Sequence, residues 1–319
     1  MDSLSPPMRV FVTDYEAVLR VRAPIPWGRF PGSKLHGMLK RGLDRIDPSV
    51  RAQLLAPIVP TPSPYFTLRA GEAAPSALFP VLPRTDTGPE GDLMRDHKLP
   101  ITLRRFGPTD SHIDRCLESA LHYLDDGLIV EPGSWRSPRG RLVEVDERRT
   151  QDTRVSLDFI TPVHLKVSEE KVEDPKNLRS RSRSGSGRRS RSAVPEDVHF
   201  KFLIKVVRRR LEAVCALYGV LPPDVSTRFR NESLPLAEKE LVPRIRSTLQ
   251  SVDWKKFQSR NQGLHKVNGL LGDVDFEGDL GPFVPTLVAA QELHIGSGVS
   301  WGLGRFALAR GPDGSPADT

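Results

Sequence analysis

The stretch LHIGSGVSWGLGRFALA, which runs from Leu293 to Ala309, decides how the last part of the chain folds. It holds four glycines within nine residues, in the pattern GxGxxxGxG: Gly296, Gly298, Gly302 and Gly304. The apolar residues 306–309 that follow predict a β-strand. A phosphate-binding glycine loop instead leads from a strand into a helix and, in its Walker A form, carries a lysine and a hydroxyl. Both features are missing from this stretch, so the Rossmann and P-loop patterns are excluded.

Two roles remain for this glycine-rich loop, residues 294–304. Its bare backbone can lie against a long polyanion, or the glycines can form a tight turn that serves packing alone. The spacing of the glycines fits both roles equally. Trp301, inside the loop, has the same two alternatives, because an indole can stack on a nucleobase or close the loop against the core.

Upstream of the loop, the hydrophobic patterns predict two units of the order β-α-β-β-α-β. The second unit has strands at 154–167, 239–250, 266–278 and 306–309 and helices at 195–219 and 280–293. The first unit has strands at 9–22, 77–82, 99–107 and 139–147 and helices at 33–46 and 110–127. In its first helix, Ser33 is the expected N-cap and Pro48 the stop. We therefore predict an α+β fold of two tandem ferredoxin-like (RRM-like) domains, at 1–150 and 151–312, with a flexible tail at 313–319.

The charge of the chain is concentrated in one segment. The 319 residues carry a formal net charge of +7 at pH 7. Six arginines and no acidic residue lie in RSRSRSGSGRRSRS, Arg179–Ser192, so the remainder is nearly balanced. Such a run cannot bury apolar area, and we predict a disordered insertion at 168–194. Its arginines suit either contacts with phosphates or simple solvation of a surface insertion.

Cysteine usage and hydropathy indicate the cellular compartment in which the protein is found. Cys116 and Cys215 both fall in helix-like apolar patterns, which predicts buried free thiols in a reducing compartment. They lack a CxxC spacing, and no group of acidic residues and histidines has the spacing of divalent-metal ligands, so we expect neither a metal nor a cofactor. No signal peptide or membrane span is indicated. We therefore expect a cytoplasmic protein without a membrane partner.

Several segments resemble the CRISPR-associated repeat-RNA processing endoribonucleases of the RAMP superfamily. The hallmark of that family is a glycine-rich loop near the C-terminus, here HIGSGVSWGLGRFAL at 294–308. The segment NGLLGDVDFEGDLGPFVPTLVAAQELHIG at 268–296 resembles the strand, Gly-Asp-Leu turn and helix that precede it. FITPVHLKV at 159–167, PGSKLHGMLKRGL at 31–43 and LPITLRRFG at 99–107 resemble further segments of the family.

This resemblance implies a defined activity. Proteins of the family bind the repeat of a CRISPR transcript and cut it within each repeat without a metal ion. The ribose 2′-OH attacks the adjacent phosphate and leaves a 2′,3′-cyclic phosphate and a 5′-OH. The reaction needs a base for the 2′-OH, an acid for the leaving 5′-oxygen and a cation for the phosphorane charge. The implied partners are CRISPR repeat RNA, other CRISPR effector subunits and a second copy of the chain in a homodimer.

Three residues are candidates for catalysis. His36 lies on the first predicted helix, where the family builds the catalytic side of its site. Lys40 follows four residues later and shares the same helix face. The alternative for His36 is a contact with RNA or a capping role without chemistry. His294, directly before the loop, serves either as an acid or base or as an anchor of the loop.

The candidate RNA contacts lie in the loop and on the long helix of the second unit. They are Gly296, Gly298, Trp301, Gly302, Gly304 and Arg305 at the loop, and Lys201, Lys205, Arg208 and Arg209 on the helix. The four helical residues are spaced to share a basic face, which suits a polyanion. An ordinary solvated face of an amphipathic helix is the alternative.

Two other functions stay open at this stage. The first is a non-catalytic RNA-binding RAMP subunit that holds crRNA in an effector complex. The second is a nucleotide-binding enzyme that uses the glycine-rich loop. Cleavage of repeat RNA in excess EDTA distinguishes the endoribonuclease from both.

Overall fold

The computed structural model describes residues 7–27, 31–55, 75–82, 91–124, 127–145, 149–168, 190–239, 241–258 and 263–310. These residues form one large antiparallel sheet in each half of the chain, together with two small two-stranded sheets. Helices pack on the large sheets and form two hydrophobic cores with them. The predicted α+β class with two ferredoxin-like units is confirmed.

In the first half, a long central strand organises the sheet. The strands are β1 Met8–Val21, β2 Ile25–Trp27, β3 Leu78–Val81, β4 Gly91–Leu93, β5 Lys98–Phe106, β6 Leu128–Val130 and β7 Arg139–Val145, and the helices are α1 Gly32–Ile46, α2 Pro48–Leu55 and α3 Ser111–His122. β1 pairs with β5 on one side and with β6 and β7 on the other, and β3 pairs with β5. This is the strand order of a ferredoxin-like unit. β2 and β4 form a separate small sheet.

The second half repeats the arrangement. Its strands are β8 Arg154–Val163, β9 Lys166–Ser168, β10 Ser190–Ser192, β11 Gly219–Val220, β12 Arg244–Ser247, β13 Gln250–Gln258, β14 Gly263–Glu277 and β15 Phe306–Arg310, and its helices are α4 Phe200–Tyr218, α5 Val225–Arg228, α6 Leu234–Leu236 and α7 Val284–Leu293. Short helical turns of other types lie at Pro195–Asp197, Phe229–Ser233 and Val299–Trp301. β8 lies between β14 and β15, and β12 and β13 pair with β14.

The two halves pack together through both faces of β1. Side chains alternate along a strand, so residues of opposite parity face opposite sides. Tyr15 and Leu19 lie in the core of the first half, whereas Val10 and Val12 lie in the core that α4 and α7 form in the second half. β11 also pairs with the start of β1. This packing places the segments that follow α7 next to the first half.

Two differences from the predicted elements are local. Ser33 lies inside α1 and is not its N-cap. Pro48 begins a second helix, α2, because the Asp47 carboxylate accepts hydrogen bonds from the backbone N–H groups of Ser49 at 2.9 Å and Val50 at 3.2 Å. Proline suits the first turn of a helix that is capped in this way.

The predicted disorder of the insertion at 168–194 is wrong at its C-terminal end. β10 pairs with β9, and the Arg191 guanidinium forms an ion pair with the Asp197 carboxylate. Residues 169–189, which hold most of the arginine–serine run, lie outside the described residues, as does the predicted tail at 313–319.

Two further expectations concern the thiols and the membrane. Cys116 and Cys215 are both buried free thiols, as predicted. Among the helices that the structure describes, none is long and apolar enough to cross a membrane.

Candidate active site and nucleic-acid interface

The glycine-rich loop of the second half packs directly against the first half. A Cβ atom at Gly32, the first residue of α1, would lie 1.6 Å from the carbonyl oxygen of Trp301. A Cβ atom at Gly302 would lie 2.5 Å from the carbonyl oxygen of Pro80 in β3. Only glycine, which has no Cβ atom, allows the two backbones to approach so closely. The loop, α1 and β3 therefore meet at the seam between the two halves.

The loop also needs its glycines for its own conformation. Left-handed φ angles of 79°, 82°, 75° and 79° occur at Gly296, Gly298, Gly302 and Gly304. A Cβ atom at Gly304 would lie 1.8 Å from the carbonyl oxygen of Ile295, and one at Gly296 would lie 2.7 Å from that of His164. The N–H of Ser297 donates to the same His164 carbonyl at 2.8 Å. The glycine pattern is thus explained by packing within the protein.

Exposure separates the loop into a closed and an open part. Gly302 and Gly304 are buried, so their assignment as RNA contacts is corrected: the space beside them is filled by protein. Gly296, Gly298 and Trp301 are half-buried. Residues 296–301, apart from the buried Val299, form the part of the loop that a ligand can approach, and we call this range the open part of the loop.

Replacing Gly304 with alanine should cost more stability than the same change at Gly133. Both residues have positive φ, 79° and 72°, so both variants carry roughly 1–2 kcal/mol of left-handed strain. An added Cβ meets nothing within 4 Å at Gly133, but meets the Ile295 carbonyl at Gly304. Displacing that carbonyl adds about 1–3 kcal/mol. Chemical denaturation measures both variants, and equal losses would contradict a tightly packed loop.

His36 and Lys40 lie one and two turns beyond the contact between α1 and the loop. With 3.6 residues per turn, positions 32, 36 and 40 follow one another along one side of the helix, about 6 Å apart in rise. His36 is half-buried and Lys40 is exposed. The apolar side of α1, which includes Leu35 and Met38, faces the core. The structure thus presents His36 and Lys40 at the surface of α1, near the seam.

His294 is not accessible to RNA in this structure. Its side chain is 0% exposed, and its ring lies 4.9 Å from that of Phe79, centroid to centroid. Burial places the pKa of the imidazole well below 6.5, and the nearby charges of Arg104, Arg305 and Arg210 lower it further. Neither ring nitrogen has a hydrogen-bond partner of normal geometry among the described residues. The expectation that His294 is catalytic is therefore corrected, and the residue packs the seam.

An ion-pair network fixes the end of α7 to the first sheet. Arg104 donates to the two carboxylate oxygens of Asp14 at 2.7 and 2.8 Å and to the backbone carbonyl of Glu292 at 2.9 Å. Arg141 donates to Asp14 at 2.8 Å and forms an ion pair with the Glu292 carboxylate. Only 10% of the Arg104 side chain and 14% of the Asp14 side chain are exposed. The network sets the position of the loop, which follows α7 directly.

Three of the four basic candidates on α4 reach the surface. Lys205 is exposed and Arg209 is half-buried. Lys201 is half-buried and forms an ion pair with the Glu238 carboxylate. These three residues stay candidates for phosphate contacts, and Lys205 is the most accessible of them.

Arg208 and Arg305 make contacts inside the protein. Arg208 exposes 5% of its side chain and donates to the Glu212 carboxylate at 3.2 Å and to the Val225 carbonyl at 3.1 Å. Its assignment as an RNA contact is corrected, because burial removes it from the surface. Arg305 is half-buried and donates to the Leu82 carbonyl at 2.6 Å, which ties the loop to the first half.

His164 joins the candidates because of its place beside the loop. Its backbone carbonyl accepts from the N–H of Ser297, and its Nε2 lies 3.2 Å from Ser192 Oγ. The side chain is half-buried, and burial lowers its pKa, helped by the charge of Lys166. A neutral imidazole beside the open part of the loop can donate or accept a hydrogen bond. The contact joins residues far apart in the sequence, so no local pattern predicts it.

Comparison of the sequence with protein families gives a match to the CRISPR-associated endoribonuclease Cas6 over residues 157–306. The match covers β8 to the start of β15 and includes the glycine-rich loop. It confirms the resemblance for the segments within the matched residues, whereas the segments at 31–43 and 99–107 lie outside the match. A comparison with curated proteins gives no match.

Solved structures with a similar fold include chains of CRISPR complexes. A chain of a partial Cas6-RT-Cas1–Cas2 complex is 11% identical with a TM-score of 0.56, and the likeness covers 99% of this chain and 48% of that one. A chain of a Cas6-RT-Cas1–Cas2 complex gives the same identity and TM-score, with 30% of its length covered. This chain thus spans half or less of the length of these two. A Cas6 product complex is 15% identical with a TM-score of 0.54, covering 94% of this chain and 100% of that one. At these identities the likeness concerns the fold.

Proposed function

We propose that this chain, whose residues 157–306 match the Cas6 endoribonuclease family, binds CRISPR repeat RNA and cuts the precursor transcript within each repeat. The observation that carries the proposal is the position of His36 and Lys40 on α1, which packs against the glycine-rich loop through Gly32. An imidazole and an ammonium group at the surface near this seam supply two of the three groups that metal-independent RNA cleavage requires, an acid or base and a cation.

In the proposed reaction, the 2′-OH oxygen attacks the adjacent phosphorus and the bond from phosphorus to the 5′-oxygen breaks. A base takes the proton of the 2′-OH, and an acid returns a proton to the leaving 5′-oxygen. The products carry a 2′,3′-cyclic phosphate and a 5′-OH. His36 is the proposed acid or base, since an imidazole exchanges protons near neutral pH. The Lys40 ammonium group stabilises the negative charge of the phosphorane.

The RNA is proposed to cross the open part of the loop, 296–301, on its way to α1. Gly296 and Gly298 supply bare backbone, and Trp301 supplies a ring on which a base can stack. On α4, the exposed Lys205 contacts phosphates, with Lys201 and Arg209 at lower accessibility. The half-buried His164 lies beside the loop and supplies a polar contact.

Other CRISPR subunits and a second copy of this chain are the proposed protein partners. The similar fold of chains in Cas6-RT-Cas1–Cas2 complexes supports the first of these.

Because the substrate is a transcript, the proposed location is the cytoplasm, which the two buried free thiols also support.

Incubation of the purified chain with its cognate repeat RNA in excess EDTA tests the proposal. We expect one cut per repeat, and no cut in an RNA of the same composition with a scrambled sequence. Binding is measured in parallel by gel shift. Tight, sequence-specific binding without cleavage would instead identify a non-catalytic RAMP subunit that holds crRNA. The absence of both binding and cleavage by a chain that is still folded in EDTA would contradict any role with repeat RNA.

A further inference from the structure

Three potential metal ligands converge in the first half, away from the seam. Asp47 lies at the junction of α1 and α2, and His112 and Cys116 lie four residues apart on one face of α3. One ligand atom of each side chain lies within 4.8 Å of the others. Position 47 is distant in sequence from 112 and 116, which is why the sequence predicts no metal site here.

The separations of these atoms fit a tetrahedral metal ion. His112 Nε2 lies 3.1 Å from Asp47 Oδ2 and 3.9 Å from Cys116 Sγ. Zinc bonds of about 2.0–2.3 Å at tetrahedral angles place nitrogen and oxygen about 3.4 Å apart, and nitrogen and sulfur about 3.6 Å apart. Shifts of about 0.3 Å would bring these two pairs to those distances. The oxygen–sulfur pair lies within 4.8 Å and has to close to about 3.5 Å around a tetrahedral ion.

A single hydrogen bond from His112 accounts for only part of this cluster, and the S–H of Cys116, a weak donor, would have to supply a second. The Nε2 atom of His112 carries at most one proton, so it can donate to the carboxylate or to the sulfur but not to both. A metal ion accepts a lone pair from all three groups. The other carboxylate oxygen of Asp47 is held by the N–H groups of Ser49 and Val50, so the ligand oxygen is already oriented. His112 exposes 61% of its side chain, which leaves room for water as a fourth ligand.

We propose that Asp47, His112 and Cys116 bind a zinc ion that ties the junction of α1 and α2 to α3. Thiolate and imidazole ligands favour zinc over magnesium or calcium, which prefer oxygen. Asp47 follows His36 by eleven residues, about 16 Å along the helix axis. The zinc ion is therefore remote from the proposed cleavage site, and its proposed role is to stabilise the fold. The inference does not depend on the proposed function.

Cobalt(II) is a spectroscopic probe for this site, because a bound thiolate gives a charge-transfer band. Titration of the purified chain should show the band saturating at one equivalent of Co²⁺ and disappearing when one equivalent of Zn²⁺ is added. Zinc should also raise the melting temperature. His112→Ala removes an exposed side chain that is itself a proposed ligand. It should weaken cobalt binding by at least about 10–100-fold, because that much affinity is lost even when only a residue that hydrogen-bonds to a metal ligand is replaced. Cys116→Ser should abolish the band.

His122→Ala is the matched control. His122 is an exposed histidine on the same helix, and it is not one of the three residues of the cluster. It should bind cobalt like the unmodified chain. The absence of a charge-transfer band in the unmodified chain would overturn the proposal. So would equal cobalt affinities of the His112→Ala and His122→Ala variants, or a band that survives Cys116→Ser and is lost in Cys215→Ser.

Discussion

His36→Ala is expected to slow single-turnover cleavage of CRISPR repeat RNA by about 10²–10⁴-fold, the loss typical when a general acid or base is removed. RNA affinity should change little, because one imidazole adds little to binding that rests on phosphate contacts. The residue is half-buried at the surface of α1, so the variant should fold normally. Single-turnover rates and equilibrium binding to the same repeat RNA measure the two effects separately.

Two companion variants locate the catalytic group. Lys40→Ala should also slow cleavage, because an exposed ammonium group no longer stabilises the phosphorane. His294→Ala removes a fully buried ring and should lower stability while the folded fraction still cleaves at the normal rate. If a folded His294→Ala variant lost cleavage and His36→Ala kept it, the catalytic group would lie at the loop. If His36, Lys40 and His294 could all be replaced without effect, the assignment on α1 would be wrong.

Asp14→Ala is expected to lower the free energy of unfolding by up to about 3–5 kcal/mol, the cost of leaving a buried charge uncompensated. The Glu292 carboxylate, 2.6 Å from Arg104, is the partner that remains and reduces this loss. The variant leaves Arg104, with 10% of its side chain exposed, without the carboxylate that accepts two of its hydrogen bonds. Glu16→Ala is the matched control on the same strand. Its ion pair with Arg136 is 3.2 Å long, and the two side chains are 39% and 67% exposed, so about 1 kcal/mol or less should be lost. Equal losses in denaturant titrations would show that the network does not hold the two halves together.

The Asp14 carboxyl also makes the stability depend on pH in acid. Burial alone would raise its pKa, but the hydrogen bonds and charges of Arg104 and then Arg141 hold the pKa below its ordinary value of 3.8. A group whose pKa is lowered on folding stabilises the fold above its unfolded pKa, and this contribution is lost as the pH falls through the folded value. The difference between the unmodified chain and Asp14→Ala should therefore be complete at neutral pH and shrink below pH 3.8.

Elements with strong local signals could be predicted from the sequence. The alternation of apolar residues in β1 and the helical spacing in α1 gave both elements to within a residue or two of their observed bounds. The helix predicted at 110–127 is observed as α3, and the Asp110 carboxylate caps it by accepting from the N–H groups of His112 and Ile113. α2 was missed because its start depends on the side chain of Asp47 rather than on periodicity.

The accessibility of the candidate residues could not be predicted, because it depends on contacts between distant segments. His294 is buried by packing at the seam, where its ring meets Phe79 of the first half. Arg208 is buried because its guanidinium reaches the Val225 carbonyl and an acidic residue on its own helix. The glycine spacing fitted a tight turn and an open backbone for a polyanion equally well, and only the structure shows that the Ile295 carbonyl fills the space beside Gly304.

The chemistry of the cleaved RNA ends tests the proposed function most directly. Repeat RNA is cut by the purified chain in EDTA, and mass spectrometry identifies the group at each new end. Attack by the ribose 2′-OH predicts a 2′,3′-cyclic phosphate on the upstream fragment and a 5′-OH on the downstream fragment. A 3′-OH paired with a 5′-phosphate, or intact RNA held in a stable complex, would contradict the account.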